Sequence, residues 1–593
     1  MRRHLVVLVG YAALTMLLTW PLAAEFGTAV PGGGDAWQHI WNLWWMRKAL
    51  ADLHTNPFYT NYLYYPHGVT LLFHTLVPLE GALTVPFQLA GVDLVPLYNG
   101  LLALSFVLAG YATWLLVRDL TGCDGAAFVA GAAFAFCPYH LGHLLGHLNL
   151  ASLQWIPFYL WTLFRACGAP GSALSVSHRS IWWAVVAGIF LAANAFTELI
   201  YVAFLGVFTA GYLLWRLLAE TRGRDGLRAW GPTAVRLAVM GAVFGALAGP
   251  LLYIIAVAEQ GQTWMTLPPR ETLVYSSDLV DSFVPSALHT FWSAPAKALE
   301  KAYPQRDTAE RSVFLGYTTL LVGAAGLAAF RRRRGVWFWA AAAVVAWLLS
   351  LGPVMHVLGH SSFSVFGSTI PMPYLALYSL VPGFSVMRVP ARFVVLASLA
   401  LAVLVGYALS GWSDWLSARQ VKDEAKPRRP PVRPLVYALV TALIALDSLS
   451  VPYPMAAVGY HIQFYERIAK QPGDFALLEL PLRPMSDYMS YQTVHGHPIV
   501  YGYLSRQPPD SFVGGTPVLH WLLNTTPVSA LSAGDAAAGA TALHGAGIRY
   551  VVVHWWAFTD AEAAAMRAKL AAMFPGQTPE DDPADRMAIY TTR

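Results

Sequence analysis

The sequence predicts a mainly α-helical polytopic membrane protein, with about eleven transmembrane helices and a C-terminal α/β domain outside the cytoplasm. Three observations predict it. Charged residues fill only 12% of the 593 positions and hydrophobic residues 56%. A soluble domain carries about 25% charged residues, so this chain has too little charge to coat a water-facing surface, and lipid must solvate much of it. Apolar runs of spanning length recur from the N-terminus to Leu449. The basic residues fall in alternate loops.

Bilayer thickness demands about 17–25 apolar residues per span. The runs are Leu5–Leu22, Val95–Val117, Gly125–Cys137, Leu150–Phe164, Ile181–Ala195, Leu199–Leu218, Leu237–Ala258, Phe314–Ala329, Val336–Val354, Phe393–Leu409 and Pro434–Leu449. The stretch Leu76–Ala90 is apolar but broken by Pro78 and Pro86, which predicts a re-entrant or interfacial segment. Met1–Ala24 also has the form of a signal peptide. The run Leu5–Leu22 is long enough to span, which favours an uncleaved first helix.

With a cytoplasmic N-terminus, the short inner loops hold Arg2, Arg3, Arg118, Arg165, Arg179, Arg216, Arg222, Arg224, Arg228 and Arg236. They also hold Arg331–Arg334 and a cluster from Arg419 to Arg433 that includes Lys426, Arg428 and Arg429. That is twenty of the 38 Lys and Arg; the longer outer loops before Ser450 hold nine. This bias is the positive-inside rule and sets the orientation in the cytoplasmic membrane. The longer outward segments are Ala23–Thr75, Pro138–Asn149, Glu259–Arg311 and Met355–Val389. No inner loop resembles a nucleotide-phosphate cradle, and a formal charge of +5 gives no argument for nucleic acid. Cys123, Cys137 and Cys167 lie in or beside apolar segments, far apart, and suggest neither a disulfide framework nor a thiolate metal site.

The division expected is residues 1–452 as a membrane domain with a long first outer loop (23–75), and 453–593 as an extracytoplasmic α/β domain. In the latter, Asp474–Leu480 and Ile548–Val553 are β-like, Asp560–Met573 is an amphipathic helix and Met587–Thr592 a last strand.

The first outer loop reads Pro31-Gly-Gly-Gly-Asp35-Ala-Trp-Gln-His-Ile-Trp-Asn-Leu-Trp-Trp45. Trp37, Ile40, Trp41, Trp44 and Trp45 fall on one helical face, which suits the membrane interface. Asp35 reads in two ways. It is either an N-cap, with Gln38 completing a capping box, or a general base facing the outer surface, which a capping role would weaken by lowering its pKa.

This arrangement resembles the GT-C glycosyltransferases: one span, then a long outer loop with an Asp before an amphipathic aromatic helix. The segments Glu310-Arg-Ser-Val-Phe-Leu-Gly316, Pro382–Phe393 and Tyr491–Pro498 are similar to uncharacterised bacterial members of that group. The resemblance implies a GT-C-like fold and transfer of a sugar from a polyprenyl-phosphate donor to a glycan, lipid or protein acceptor of the cell envelope. It makes Asp35 the acceptor-activating base. Many members carry a second acidic residue beside the first, whereas Ala36 follows Asp35 here. This leaves open the catalytic pair and a divalent metal.

A cation must then stabilise the leaving phosphate. Arg388 and Arg392 flank Pro390 at the outer end of a span, and Arg offers phosphate a bidentate fork. Ordinary snorkelling at a helix end is the alternative. His143 and His147 are four apart, with His140 near, and read as a metal site, a polar substrate surface or interfacial histidines bonded to water or carbonyls. Glu198 at an outer turn is costly at membrane depth, hence a substrate-binding candidate, or an acid beside a helix N-terminus. Arg270, Glu271, Tyr275, Asp278 and Asp281 form a polar outer loop, in which Asp278 and Asp281 share a helical spacing for sugar hydroxyls or metal. His495 and His497 are spaced to meet an acceptor or to lie on a surface.

Two rival readings stand beside the transferase. A transporter or lipid flippase keeps ionisable residues near the midplane, whereas here they cluster at outer loops. A non-catalytic membrane scaffold would tolerate Asp35→Asn without consequence.

Overall fold

The computed structural model describes residues 1–171, 180–220, 230–260, 269–302, 308–363, 368–422, 432–458, 462–508, 511–523 and 531–592. The inner-loop residues Arg179, Arg222, Arg224, Arg228, Lys426, Arg428 and Arg429 lie outside the described residues, as does the side chain of Arg270.

The chain is mainly helical, and a helix forms over most of each of the eleven apolar runs. Among the described residues, five helices are long and apolar enough to cross a membrane: Leu94–Thr121, Ser180–Thr197, Leu199–Leu218, Trp230–Glu259 and Pro390–Leu416. Asp124–Ala135, Tyr317–Phe330 and Arg334–Ser350 are shorter apolar helices. Contacts divide the chain into two compact units, Met1–Gly32 with Val95–Ala456 and Gly33–Leu94 with Ala457–Arg593. Residues 33–75 of the first outer loop, grouped with the spans in the sequence reading, thus cluster with the C-terminal residues, while residues 23–32 stay with the spans.

In the first unit, burial separates central from peripheral helices. The apolar window of Pro390–Leu416 is wholly buried, whereas that of Trp230–Glu259 is only 17% buried. An apolar helix that leaves Leu247, Tyr253 and Ile254 exposed is stable only where lipid replaces water around it. Small residues let neighbouring backbones approach closely. The buried Tyr11 ring stacks on Phe128 with centroids 4.6 Å apart, and its hydroxyl donates to the Phe128 carbonyl at 2.9 Å. A Cβ on Gly110 would lie 2.9 Å from that ring.

The second unit holds a four-stranded sheet. Ala476–Leu480 runs parallel to Ile548–His554, which pairs antiparallel with Met587–Thr591, itself antiparallel to Glu580–Asp582. Alternate residues feed two apolar layers, as the period-two geometry of strands requires. Leu477, Val552 and Ile589 pack on one face; Leu478, Val551 and Val553 pack on the other with Leu570 and Met573. The latter two come from the helix Asp560–Met573, which starts with a Thr559–Glu562 capping box.

The aromatic face of the helix Asp35–Arg47 is a correction to the sequence reading. Trp41 and Trp45 do not lie at a membrane interface; they are buried in the first of these layers with Ile462, Phe464 and Leu477. Their rings stack 5.7 Å apart, and their indole N–H groups donate to Gln492 Oε1 at 2.7 Å and the Pro57 carbonyl at 2.9 Å. The periodicity of a lipid-facing stripe and of a core-facing stripe is the same. The segment expected to be re-entrant or interfacial forms the helix Pro78–Leu89. It buries Glu80, Gly81, Thr84 and Gln88 and exposes Leu83, Phe87 and Leu89, so its apolar side faces outward.

Candidate active site

The residues designated from the sequence fall in both units. In the second, Gly33 and Gly34 precede Asp35 with φ of +80° and +55°, and Gly32 before them has φ +76°. Three successive left-handed residues are accessible to glycine at little cost and to other residues at a real one. The chain thereby turns into the helix Asp35–Arg47. Its first turn closes through backbone alone, Ala36 N–H donating to the Gly33 carbonyl and Trp37 N–H to the Gly34 carbonyl, both at 3.1 Å. The N-cap is Gly34, without a side-chain capping bond. The capping-box alternative for Asp35 and Gln38 is therefore overturned: Asp35 is the first helical residue, and Gln38 Oε1 accepts the Thr75 hydroxyl at 3.3 Å. The half-buried Asp35 carboxylate sits at the positive end of the helix, where negative charge is favoured.

His74, which the sequence reading does not single out, stands within electrostatic reach of Asp35. Its Nε2–H donates to Asn42 Oδ1 at 3.0 Å, and Nδ1 accepts the Ser505 N–H at 3.4 Å. The Asn42 amide is fixed in turn by the Thr75 carbonyl at 2.7 Å. Burial pushes the imidazole down to about 3, against the opposing pull of Asp35. His74 is thus neutral at physiological pH, with its tautomer set by these partners.

In the first unit, Arg392 pairs with Glu310. Nε lies 3.1 Å from Oε1 and 3.3 Å from Oε2, and Nη2 also contacts Oε1. Both side chains are largely buried. Burial pushes the Glu310 carboxyl up, but Arg392, helped by His143, pulls it further down, to about 2. His143 and His147 approach through their Nδ1 atoms at 3.2 Å, as i, i+4 spacing allows. The ring of Tyr139 meets His143 edge-on at 4.3 Å, and its hydroxyl lies 3.1 Å from that of Tyr201, which donates to the Leu150 carbonyl at 2.6 Å. Burial holds His143 well below its ordinary pKa. Glu198 is the N-cap of Leu199–Trp215: Oε1 accepts the Ile200 N–H at 3.2 Å, and Oε2 accepts the Asn149 amide. Arg392, Glu310 and Glu198 act electrostatically on Tyr139, and Glu310, His147 and Arg392 on His143. Three designated residues, His143, His147 and Arg392, therefore gather at Glu310, and Glu198 acts on the adjoining Tyr139.

The others lie differently. Arg388 is exposed, with its guanidinium 4.8 Å from the centre of the Tyr275 ring. Asp278 is buried, and its carboxylate is taken up by backbone: Oδ1 accepts Val280 N–H at 2.9 Å and Oδ2 accepts Gly359 N–H at 2.8 Å. Asp281 pairs with Arg311 at 3.2 Å, so Asp278 and Asp281 present no shared open face. His140 is a packing residue, stacked on Phe106 at 3.7 Å and bonded to the Ala135 carbonyl and the Ser105 hydroxyl. His497 Nε2 bonds the Ile468 carbonyl at 3.1 Å, and His495 Nδ1 accepts the His497 N–H at 3.1 Å. Among the described residues, no group of three or more His, Cys, Asp or Glu side chains is placed to hold a metal ion. Glu310 is the second residue whose role sequence reasoning misses; it stands there only as the first residue of the segment Glu310–Gly316.

Several solved structures are similar to this chain. The single-particle cryo-EM structure of the arabinofuranosyltransferase AftD from Mycobacteria matches over 100% of this chain and 40% of its own, with a TM-score of 0.60 at 15% identity. The oligosaccharyltransferase AglB from Archaeoglobus fulgidus, in complex with an inhibitory peptide and a dolichol-phosphate, matches over 96% of this chain and 70% of its own, with a TM-score of 0.48 at 15% identity. ArnT from Cupriavidus metallidurans, bound to undecaprenyl phosphate, matches over 99% and 98%, with a TM-score of 0.49 at 14% identity. No curated protein matches the chain. The arabinofuranosyltransferase likeness shows the expected GT-C fold, and fold alone does not fix activity. A family model matches residues 7–420, and the chain belongs to that family, described as a domain of unknown function, DUF6311.

Proposed function

We propose that the protein is a glycosyltransferase that moves a sugar from a polyprenyl-phosphate donor to an acceptor at the outer face of the cytoplasmic membrane. Its N-terminus is then cytoplasmic, and residues 453–593 are extracytoplasmic and help bind a glycan, lipid or protein acceptor. The fold shared with an arabinofuranosyltransferase supports the reaction class. The observation that carries the donor class is an apolar cavity of about 440 Å³, lined by Phe208, Trp215, Phe338, Val345, Leu349 and Phe393. Phe393 directly follows Arg392. An isoprenoid chain needs an apolar slot, and its phosphate needs cations at one end.

In the proposed mechanism, Asp35 accepts the proton of the acceptor hydroxyl, whose oxygen attacks the anomeric carbon. The bond from that carbon to the phosphate oxygen breaks, and the lipid phosphate leaves as an anion. A single displacement of this kind inverts the anomeric centre. Neutral His74 adds no positive charge beside Asp35, so it does not quench the base. Arg392 spends two nitrogens on Glu310, whereas Arg388 forms no ion pair among the described residues. Arg388 therefore takes the phosphate, and the Arg392–Glu310 pair forms its rigid mount. His143, His147 and Glu198 are the sugar-binding side chains of the same cluster. Asp278 acts as a brace.

The test is transfer from radiolabelled polyprenyl-phosphate sugars by the full chain in membranes. Asp35→Asn is expected to abolish transfer while leaving the protein folded. Undiminished transfer by that variant removes Asp35 from the mechanism, and the absence of any donor consumption by the native chain overturns the function.

A further inference from the structure

The second unit carries a polar cluster that the transfer chemistry does not use. Glu479 and His554 lie near the carboxyl ends of the parallel strands Ala476–Leu480 and Ile548–His554, the end at which open α/β sheets take ligands. Glu479 accepts the Tyr465 hydroxyl at 3.0 Å and His554 Nε2–H at 2.7 Å. All three side chains are buried. This fixes the imidazole, and its other nitrogen, Nδ1, is buried without a hydrogen-bond partner. Tyr488 and Tyr491 stack near the imidazole at 5.1 and 5.5 Å. Trp556 meets it edge-on at 5.8 Å and is itself exposed. Asp487 and Asp585, both half-buried, stand within electrostatic reach of His554 and of the Tyr491 hydroxyl. Neither Asp forms an ion pair among the described residues.

We infer that Tyr491, Trp556, Asp487 and Asp585 form a binding site for a neutral saccharide, which within the transferase reading is the acceptor glycan. An aromatic face covers the C–H face of a sugar ring, and carboxylates accept its hydroxyl protons. The unpartnered His554 nitrogen is the floor group that a ligand hydroxyl completes. The three carboxylates, counting Glu479, repel anions, so this is no site for the phosphate end of the donor.

The test uses the full chain in nanodiscs and saturation-transfer NMR with three neutral probes: maltoheptaose, a mannan hexasaccharide and an arabinan hexasaccharide. At least one is expected to bind, with affinity falling tenfold or more in Trp556→Ala and in Asp585→Asn. Both positions lie at the surface, and unchanged thermal unfolding checks their folding. Asp35→Asn is expected to bind as the native chain does, which separates failure of this site from failure of the transfer reading. Binding of none of the probes overturns the inference. So does binding that is indifferent to both substitutions, or a trilysine peptide that competes for Trp556 where the sugars do not.

Discussion

Arg392 faces Glu310 across 82 residues of sequence with its guanidinium edge, Nε at 3.1 Å from Oε1 and 3.3 Å from Oε2. The two side chains are 17% and 5% exposed. Removing one partner of such a pair strands a buried charge, which costs about 3–5 kcal/mol, whereas replacing both by apolar groups is often neutral. Glu310→Gln is therefore expected to lower thermal stability strongly. The double variant Glu310→Leu/Arg392→Met is expected to recover most of the loss. A melt of the purified chain in detergent decides it, and equal losses in single and double variants would show that the pair is not the cause.

The same pair sets an acid limit. The Glu310 carboxyl is depressed in the folded protein, to about 2 from an ordinary 4.5. A depressed carboxylate contributes stability that is full above its unfolded pKa and is lost as pH falls through the folded one. Its share is therefore expected to be present above pH about 4.5 and to vanish toward pH 2. In Glu310→Leu/Arg392→Met, the slope of stability against pH in that window should flatten.

His74 acts in a higher window. Burial lowers its pKa from 6.5 to about 3, so between those values the unfolded chain binds the proton and the folded chain does not. Stability then falls as pH drops below about 6.5, by at most about 1.4 kcal/mol per pH unit. His74→Gln is expected to lessen this slope between pH 7 and 5, read as melting temperature against pH. An unchanged slope would place the titrating group elsewhere.

How much of this was legible in the sequence depends on how local each constraint is. The apolar runs were legible as helices because hydrophobic demand acts on consecutive residues, and each has its helix, although five of the described helices are long and apolar enough to span. The strand Ile548–His554 and the helix Asp560–Met573 were legible through their own periods. The surroundings of Asp35 were not. The stripe Trp41–Trp45 satisfies lipid and protein core alike, and what decides between them is Ile462, Phe464 and Gln492, more than four hundred positions away. Glu310 is one loop acid among several until Arg392 is brought beside it. Asp278 looked available to a sugar because nothing in its neighbourhood announces that Gly359 takes its carboxylate.

The glycines before Asp35 differ in what they tolerate. Gly34 has φ +55° and ψ −106°, a backbone conformation that favours glycine, and open space around an added Cβ, so the cost of Gly34→Ala comes from backbone conformation alone, about 1–3 kcal/mol. Gly32 has φ +76°, and a Cβ there would lie 2.8 Å from the Leu145 Cα, a backbone atom that yields poorly. Gly32→Ala is expected to be clearly the worse of the two in a thermal melt. Equal losses would mean that backbone conformation alone limits the turn.

Arg388 gives the sharpest test of where the phosphate is held. Its guanidinium is exposed and poised 4.8 Å from the Tyr275 ring centre, a contact worth about 0.5–1 kcal/mol at an exposed position. Tyr275→Leu should therefore only loosen the arginine and reduce turnover a few-fold. Arg388→Ala removes a donor to the leaving oxygen, where the loss of one oxyanion-stabilising donor costs about 10²–10³ in kcat. Arg388→Lys keeps the charge but forfeits the bidentate fork, and should fall between them. Being exposed, Arg388 is expected to leave the melting temperature unchanged in all its variants, unlike Glu310. Turnover and KM for the lipid donor, measured across the three variants, separate the readings. A snorkelling arginine predicts near-native kcat in every one of them, and that result would move the phosphate away from residue 388.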